Sequence, residues 1–182
     1  MNSPNTHDDV RLIDCNEAEH AAAILEILND AIVNSTALYD YRPRPPEAMV
    51  AWFATKRAGG FPVVGAVDGS GTLLGFASWG TFRAFPAFKY TVEHSVYVHR
   101  DHRGRGLGEL LLRELIKRAR AAEVHVLVGC IDATNLGSVA LHTRVGFVHS
   151  GTITEAGFKF GRWLDAAFYQ LKLDTPMQPA DG

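Results

Sequence analysis

The sequence predicts a single α+β domain with a mixed, mostly antiparallel central sheet flanked by helices. A chain of 182 residues that is 47% hydrophobic and 21% charged can bury one substantial core. Its segments alternate in periodicity and indicate the order β-α-α-β-β-β-α-β-α-β-β. Short turns such as DGSG favour antiparallel hairpins, whereas one strand–helix–strand unit requires a parallel crossover.

Turn and capping signals delimit the elements of the first half. Asn16 followed by Glu19 resembles a capping box that opens a helix. A Pro-rich turn at 42–49 precedes a second helix, which ends at a pair of glycines. The predicted strands are 11–15, 61–68, 73–82 and 90–99, and the first helix covers about 17–30.

The second half contains the clearest helix. Residues 107–121 have one apolar stripe and a charged face with Glu–Arg pairs four residues apart. The following strand, 124–132, is apolar on both faces, which predicts a central position. A helix at 135–145 and two strands within 147–153 and 164–173 complete the chain. Residues 1–9 and 174–182 are expected to be flexible tails, and Trp52, Trp79 and Trp163 are expected in the core.

Composition excludes several classes of function. A net charge of −2 gives no attraction to nucleic acid or to anionic membranes, and no apolar run approaches the roughly 18 residues of a membrane span. The polar N-terminus has no secretory signal pattern. Cys15 and Cys130 are expected to be reduced thiols, and no Cys/His pair has metal-ligand spacing. A cytoplasmic protein without a metal is the resulting expectation.

The segment RGRGLG at 103–108 lies between a strand and the helix that begins at Leu107. Its third glycine comes one residue too early for the dinucleotide fingerprint G-x-G-x-x-G, and Glu109 is incompatible with a P-loop. Glycines allow consecutive backbone N–H groups to converge, and the start of a helix adds free N–H groups and a positive dipole end. Together with two arginines, this turn suits a pyrophosphate.

Two motifs make the sequence resemble the GCN5-related N-acetyltransferase (GNAT) superfamily across residues 10–173. The first is Val-x-Val followed by RGRGLG, and the second is N-x-x-S-x-x-L-H-x-x-x-G-F, 27 residues after Gly108. The resemblance implies a splayed strand pair that binds acetyl-CoA, with pantetheine adding to the free strand backbone. The implied cofactor-binding residues are Val96, Tyr97, Val98, Arg103, Gly104, Arg105, Gly106, Leu107, Gly108, Glu109, Asn135 and Ser138.

Several further segments are similar to the phosphinothricin/methionine sulfoximine acetyltransferase branch, among them YTVEHSVYVH, RAFPAFK and KFGRWLD. This branch implies acetylation of the α-amino group of a small amino acid, and a homodimer. Phe160 and Leu164 replace histidines of the herbicide-acetylating members, which favours methionine sulfoximine or sulfone over phosphinothricin. The alternatives are acetylation of a polyamine, a protein N-terminus or an aminoglycoside, or CoA binding without catalysis.

Glu93 and His142 are the catalytic candidates. Glu93 is a carboxylate within an otherwise apolar strand, which is costly unless the group is solvated or functional. Strict alternation places it on the face opposite to Val92, Val96 and Val98. We expect Glu93 to act as the general base, directly or through water. His142 occupies a position where relatives carry a tyrosine that protonates the leaving thiolate, so it is expected to donate or accept a proton.

The substrate-binding candidates surround the same strand. Arg83 is expected to bind the substrate carboxylate, because a guanidinium offers a planar pair of donors. Ala84 and Phe85 follow it in the RAFPAFK loop, where aromatic residues can form the wall of a pocket. Glu93, His94 and Ser95 complete the predicted set, and His94 falls on the valine-rich face, in the core or against the substrate.

Overall fold

The computed structural model describes residues 9–181 of the chain, and the first eight residues of the predicted N-terminal tail lie outside this range. Within it, short 3₁₀ turns occur at Pro86–Phe88 and Arg100–His102. The strands and helices are β1 (Arg11–Asp14), α1 (Glu17–Asn34), α2 (Ala48–Ala58), β2 (Val63–Val67), β3 (Leu73–Thr81), β4 (Thr91–Val98), α3 (Leu107–Ala121), β5 (Val126–Asp132), α4 (Leu136–Arg144), β6 (Val148–Lys159) and β7 (Arg162–Lys172).

The element order and the α+β fold class predicted from the sequence are confirmed. One mixed sheet has the order β1-β2-β3-β4-β5-β7-β6, and each neighbouring pair is antiparallel except β4 and β5. Helices α1 and α2 pack on one face, where Ile24, Leu28, Phe53 and Phe76 form a buried cluster. Helix α3 packs on the other face in a second cluster. None of the helices within residues 9–181 has the length and apolar character needed to cross a bilayer.

Helix α3 coincides with its predicted range. The leucines at the centre of its apolar stripe are fully buried, since Leu111, Leu112 and Leu115 are each 0% exposed, and Ile116 is partly buried. On the wet face, Arg113 pairs with Glu109 and Arg118 pairs with Glu114, each four residues apart. Burial of the leucines stabilises the helix far more than these exposed pairs do. The buried stripe therefore fixes the position of the N-terminus of α3 against the sheet.

Strands β4 and β5 separate in the middle of the sheet. They pair only at Thr91–Val126, Val92–Leu127 and Glu93–Val128. Strand β4 remains paired with β3 as far as Val98. Beyond Glu93, therefore, β4 turns a free backbone edge towards β5 within the described part of the chain. This is the splayed strand pair that the sequence resemblance implied.

The β6–β7 hairpin is longer than expected, and its tip is a tight turn at Phe160 and Gly161, whose φ angles are +53° and +73°. Trp163 is 58% exposed, so its expected core position is wrong. It stacks edge-on against Phe158, with 5.1 Å between the ring centroids. The reason is topological, since β6 is the outermost strand of the sheet and Trp163 lies near the tip of its hairpin with β7.

The described part of the C-terminal segment contacts the domain. Leu173 is 3% exposed and belongs to the core beside α3. His125 Nδ1 lies 2.7 Å from the carbonyl oxygen of Thr175, and the Ala180 amide donates to the Tyr90 hydroxyl at 3.2 Å. The flexibility of residues 174–182 stays a prediction.

Candidate active site

A cleft of about 450 Å³ passes through the gap between β4 and β5. Because side chains alternate along a strand, β4 supplies Glu93 and Tyr97 to the α1–α2 side of the sheet and His94 and Val96 to the α3–α4 side. The cleft thus connects both faces of the sheet. Its lining residues include Tyr39, Lys56, Glu93, His94, Ser95, Val96, Tyr97, Gly129, Cys130, Asp132, Asn135, Ser138 and His142.

Glu93 lies where the two strands part. It is the last residue of β4 that pairs with β5, and on its other side it pairs with Gly80 of β3. Its side chain is open to the cleft. The surrounding protein raises the pKa of the carboxyl above its ordinary value, while the positive charge of Arg83 opposes the rise. A carboxylate with a raised pKa is a stronger base than one in water.

His94 and His142 form a direct hydrogen bond across the cleft. Their Nε2 atoms are 2.9 Å apart, and each residue is 6% exposed. Nδ1 of His142 is 2.7 Å from the carbonyl oxygen of Ser138, one helical turn earlier. Phe147 packs against both rings, at centroid distances of 5.0 and 5.1 Å. A strand and a helix far apart in sequence thus bring the two imidazoles together.

Gly129 gives the histidine pair its space. A Cβ atom at this position would lie 3.0 Å from Cε1 of His94 and 3.3 Å from Nε2 of His142. Both distances are tighter than ordinary van der Waals contact, so the rings would have to move. The glycine therefore allows the two rings to sit against β5 at the apex of the gap.

The three glycines of the 103–108 turn have different roles. Gly104 and Gly106 adopt left-handed backbone conformations, with φ of +76° and +77°. No atom of the described residues lies within 4 Å of a Cβ built at Gly104, which therefore leaves open space for a ligand. Gly108 is needed for packing instead, because its Cβ would lie 3.2 Å from Leu141 of α4. The turn thus directs backbone N–H groups outwards at the start of α3.

Arg103 holds the turn against α1. Its guanidinium donates to Asp30 at 2.9 Å and to the carbonyl oxygen of Val98 at 3.3 Å. The Asp30 side chain is only 6% exposed. Burial alone would raise the pKa of Asp30, but the hydrogen bond from Asn34 and the charges of Arg103 and Arg100 hold it below its usual value. Arg103 thereby fixes the turn next to the free edge of β4.

The other charged residues predicted to bind the cofactor are partly engaged. Arg105 is 3.2 Å from Nδ1 of His102. Glu109 pairs with Arg113 at 2.7 Å and with Arg144 of α4 at 3.4 Å. Its carboxylate therefore joins the N-terminus of α3 to α4.

The remaining cofactor candidates lie around the cleft. Asn135 caps α4, accepting from the Ser138 amide at 3.1 Å, and both residues line the cleft. Val96, Tyr97 and Val98 form the part of β4 that has no partner in β5, and Leu107 is the buried first residue of α3. The structure thus brings the β4 edge, the glycine turn and the start of α4 to one side of the gap.

Arg83, Ala84 and Phe85 line a separate, shallow depression beside the cleft. The Arg83 guanidinium stacks over the Phe82 ring at 5.2 Å, and Phe85 is 71% exposed. Only the charge of Arg83 reaches the cleft, through its effect on Glu93. Ser95 and His94, in contrast, line the cleft itself.

Two lysines, one in the cleft and one in the neighbouring pocket, were not identified from the sequence. Lys56 of α2 lines the cleft, donates to the Trp79 carbonyl oxygen at 2.7 Å, and burial lowers its pKa to about 8. Lys159 is buried, and its ammonium group lies within 2.9 Å of three backbone carbonyl oxygens of the 32–38 segment. No sequence motif marks them, although a charged residue within the β6 strand pattern could have signalled Lys159.

The comparisons with known proteins agree with this geometry. The profile of the acetyltransferase (GNAT) family matches residues 22–147. A Pseudomonas aeruginosa protein named L-methionine sulfoximine/L-methionine sulfone acetyltransferase is 50% identical over 151 residues, covering 83% of this chain and 88% of that relative. A phosphinothricin N-acetyltransferase from Alcaligenes faecalis is 32% identical, covering 94% and 93%.

A solved Salmonella typhimurium structure with its cofactor acetyl-CoA has a TM-score of 0.90 and 39% identity, covering 95% of this chain and 99% of that chain. The fold, the split sheet and the glycine turn define an acyl-CoA-dependent transferase. The chain belongs to the GNAT acetyltransferase family, as its sequence motifs indicated. The free β4 edge and the open space at Gly104 fit a co-substrate with a pantetheine arm and a pyrophosphate.

Proposed function

We propose that this acetyltransferase acetylates the α-amino group of a small amino acid, with methionine sulfone and methionine sulfoximine as preferred acceptors and phosphinothricin as a poorer one. The observation that carries the proposal is the position of Glu93, open to the cleft at the point where β4 leaves β5. The name of the Pseudomonas aeruginosa relative supports this acceptor class. Leu164, 2% exposed, contributes an apolar wall to the neighbouring pocket beside Tyr39, which suits a methyl-ended side chain.

In the proposed mechanism, Glu93 accepts the proton that the acceptor ammonium must lose, directly or through one water. The co-substrate supplies an acetyl group activated as a thioester. The free amine bonds to the acetyl carbon, the nitrogen loses a second proton, the carbon–sulfur bond breaks, and the thiolate takes up one of the two protons while the other passes to solvent. Backbone N–H groups of 96–98 and 103–109, with Asn135 and Ser138, hold the co-substrate. The β4 edge positions the thioester beside Glu93, so proximity contributes as well as base catalysis.

Arg83 is proposed to attract the acceptor carboxylate, and the effect of its charge on Glu93 supports this role. The test is thiol release from acetyl-CoA with methionine sulfone, its methyl ester, the decarboxylated amine and an N-terminal peptide as acceptors. Arg83→Ala is expected to raise KM for the acid by about twofold to fivefold, because its charge acts from the neighbouring depression and not by contact, and to change the ester little. Arg83→Lys should recover most of this loss, because it keeps the charge.

Equal losses on acid and ester would assign Arg83 to loop structure alone. A preference of the unmodified enzyme for the decarboxylated amine or the peptide would contradict the amino-acid acceptor.

We further propose a homodimer, on the basis of family resemblance, and a cytoplasmic location, which the two free cysteines support. Light scattering at several protein concentrations tests the dimer, and fractionation of the source cells tests the location.

A further inference from the structure

The His94–His142 pair has a hydrogen-bond pattern that determines which nitrogen carries each proton. A carbonyl oxygen can only accept, so Nδ1 of His142, 2.7 Å from the Ser138 carbonyl oxygen, must carry a hydrogen. In a neutral imidazole the other nitrogen is then an acceptor. At 2.9 Å, Nε2 of His94 must therefore donate to Nε2 of His142. This leaves Nδ1 of His94 without a hydrogen, buried and without a partner among residues 9–181.

We propose that His94 is a positioning residue that locks His142 as a neutral Nδ1–H tautomer and occupies its Nε2 lone pair. In this arrangement His142 has neither a proton to give to the cleft nor a free lone pair to accept one. Glu93 takes a proton from the acceptor nitrogen and gives it to the thiolate, and the second proton that the nitrogen loses passes to solvent. The assignment differs from the sequence-based expectation that His142 donates or accepts a proton. Only this catalytic consequence depends on the proposed function.

The surroundings of the pair favour its neutral form. Burial, followed by the nearby His142, lowers the pKa of His94 to about 3 against an opposing contribution from the Val128 backbone carbonyl, and burial lowers the pKa of His142 against the Ser138 bond. Phe147 closes the pair on one side, and Gly129 admits both rings against β5. The titratable groups that line the same cleft are Glu93 from β4, Cys130 and Asp132 from β5, Lys56 from α2, and the hydroxyls of Tyr39 and Tyr97.

The pair also has a mechanical position. His94 is the first residue of β4 beyond the last β4–β5 pair, and Gly129 is its counterpart on β5. The two rings therefore occupy the apex of the gap and connect α4 to β4. A positively charged pair would have to accommodate a proton at the buried Nδ1 of His94. Protonation of the pair would therefore disturb the hydrogen bond that holds α4 against β4 at the apex of the gap.

The test is long-range ¹H–¹⁵N spectroscopy of the imidazoles in the intact enzyme, with signals assigned by His94→Leu and His142→Gln. Unmodified enzyme is expected to show a bare Nε2 in His142 and a bare Nδ1 in His94, both unchanged from about pH 5.5 to 9. In His94→Leu the pKa of His142 should rise by about one unit, the worth of one hydrogen bond. The same ionisation should appear as a new limb in the pH profile of kcat/KM.

His94→Gln should restore the unmodified behaviour, because its side-chain N–H can occupy the place of the His94 Nε2–H. Exposed His149→Gln is the control, with no expected change at His142. A His142 that carries hydrogen on Nε2, or titrates near its ordinary pKa of about 6.5 in unmodified enzyme, would overturn the proposal. So would a His94→Leu variant with an unchanged His142. If His94→Leu does not fold, the tautomers observed in unmodified enzyme are sufficient to test the proposal. They do not depend on the identity of the acceptor, so this test is separate from that of the proposed function.

Discussion

Lys159 anchors the segment that leads from α1 to Tyr39 at the wall of the cleft. Its ammonium group donates to the carbonyl oxygens of Ile32 at 2.6 Å, Ser35 at 2.9 Å and Leu38 at 2.6 Å. These bonds tie the end of α1 and the following loop to β6. The loop continues to Tyr39, which lines the cleft. Replacing Lys159 with methionine keeps the volume of the side chain but removes all three donors.

We expect Lys159→Met to lower the free energy of unfolding by about 3–5 kcal/mol. A hydrogen bond to a charged group contributes about 1.5–3 kcal/mol, and the desolvation of the ammonium group offsets part of the sum. For a chain of this size the melting temperature should fall by about 6–20 °C. The acceptor KM should rise more than the acetyl-CoA KM, because this segment adjoins the pocket beside Tyr39 that is proposed to receive the acceptor side chain.

Thermal and urea unfolding measure the first effect, and steady-state kinetics at a permissive temperature measure the second. The matched control is Lys117→Met on α3, whose side chain is 81% exposed and should be nearly neutral. If Lys159→Met unfolds like Lys117→Met, the three carbonyl groups have other partners and the anchoring role is wrong.

Three further predictions concern the site and its support. Glu93→Gln should keep acetyl-CoA affinity and lower turnover by about 10²–10⁴. In unmodified enzyme kcat/KM should rise with pH as Glu93 loses its proton, at a pKa above the usual value for a glutamate, and equal pH profiles in both enzymes would contradict this role. Gly104→Ala should weaken acetyl-CoA binding by tenfold or more, measured by calorimetry. The control is Gly71→Ala, which is also left-handed and uncrowded: it should lower the free energy of unfolding by about 1–2 kcal/mol through backbone strain and leave acetyl-CoA binding unchanged. Asp30→Asn should lower the free energy of unfolding at pH 7. Because the pKa of Asp30 is lowered in the folded state, the difference in stability between the two enzymes should disappear as the pH falls through that pKa. A constant difference in urea unfolding down to pH 2 would exclude the ion pair as its cause.

Local patterns in the sequence predicted the scaffold well. The 107–121 helix coincides with its stripe of leucines because burial of one face determines both its ends and its orientation. The sequence predicted an anion-binding role for the glycine turn, which stays a prediction, whereas the packing role of Gly108 depends on Leu141 and could not be seen in the local sequence. The gap between β4 and β5 was expected only from family resemblance, since each strand alone is an ordinary apolar run.

Contacts between distant segments could not be predicted. His94 and His142 are 48 residues apart, and alternation indicated the face of His94 without its partner. Lys159 and Ile32 are separated by 127 residues. Such polar contacts depend on which helices and strands pack together, and the hydrophobic periodicity of a sequence does not carry this information. Trp163 was misassigned for a related reason, since an aromatic residue in a strand does not reveal whether that face is covered.

The separation of β4 from β5 has a thermodynamic consequence for the whole chain. Within residues 9–181, strands β4 and β5 form three residue pairs, at which the β1–β4 half of the sheet meets the β5–β7–β6 half. A ligand whose amide groups form hydrogen bonds with the free β4 edge would extend the hydrogen bonding of the sheet and stabilise the native state while it is bound. At a concentration 100 times its Kd, such a ligand adds about 2.7 kcal/mol to the stability of the native state. Acetyl-CoA would thus link catalytic competence to resistance to unfolding, so that a loaded enzyme outlives an empty one.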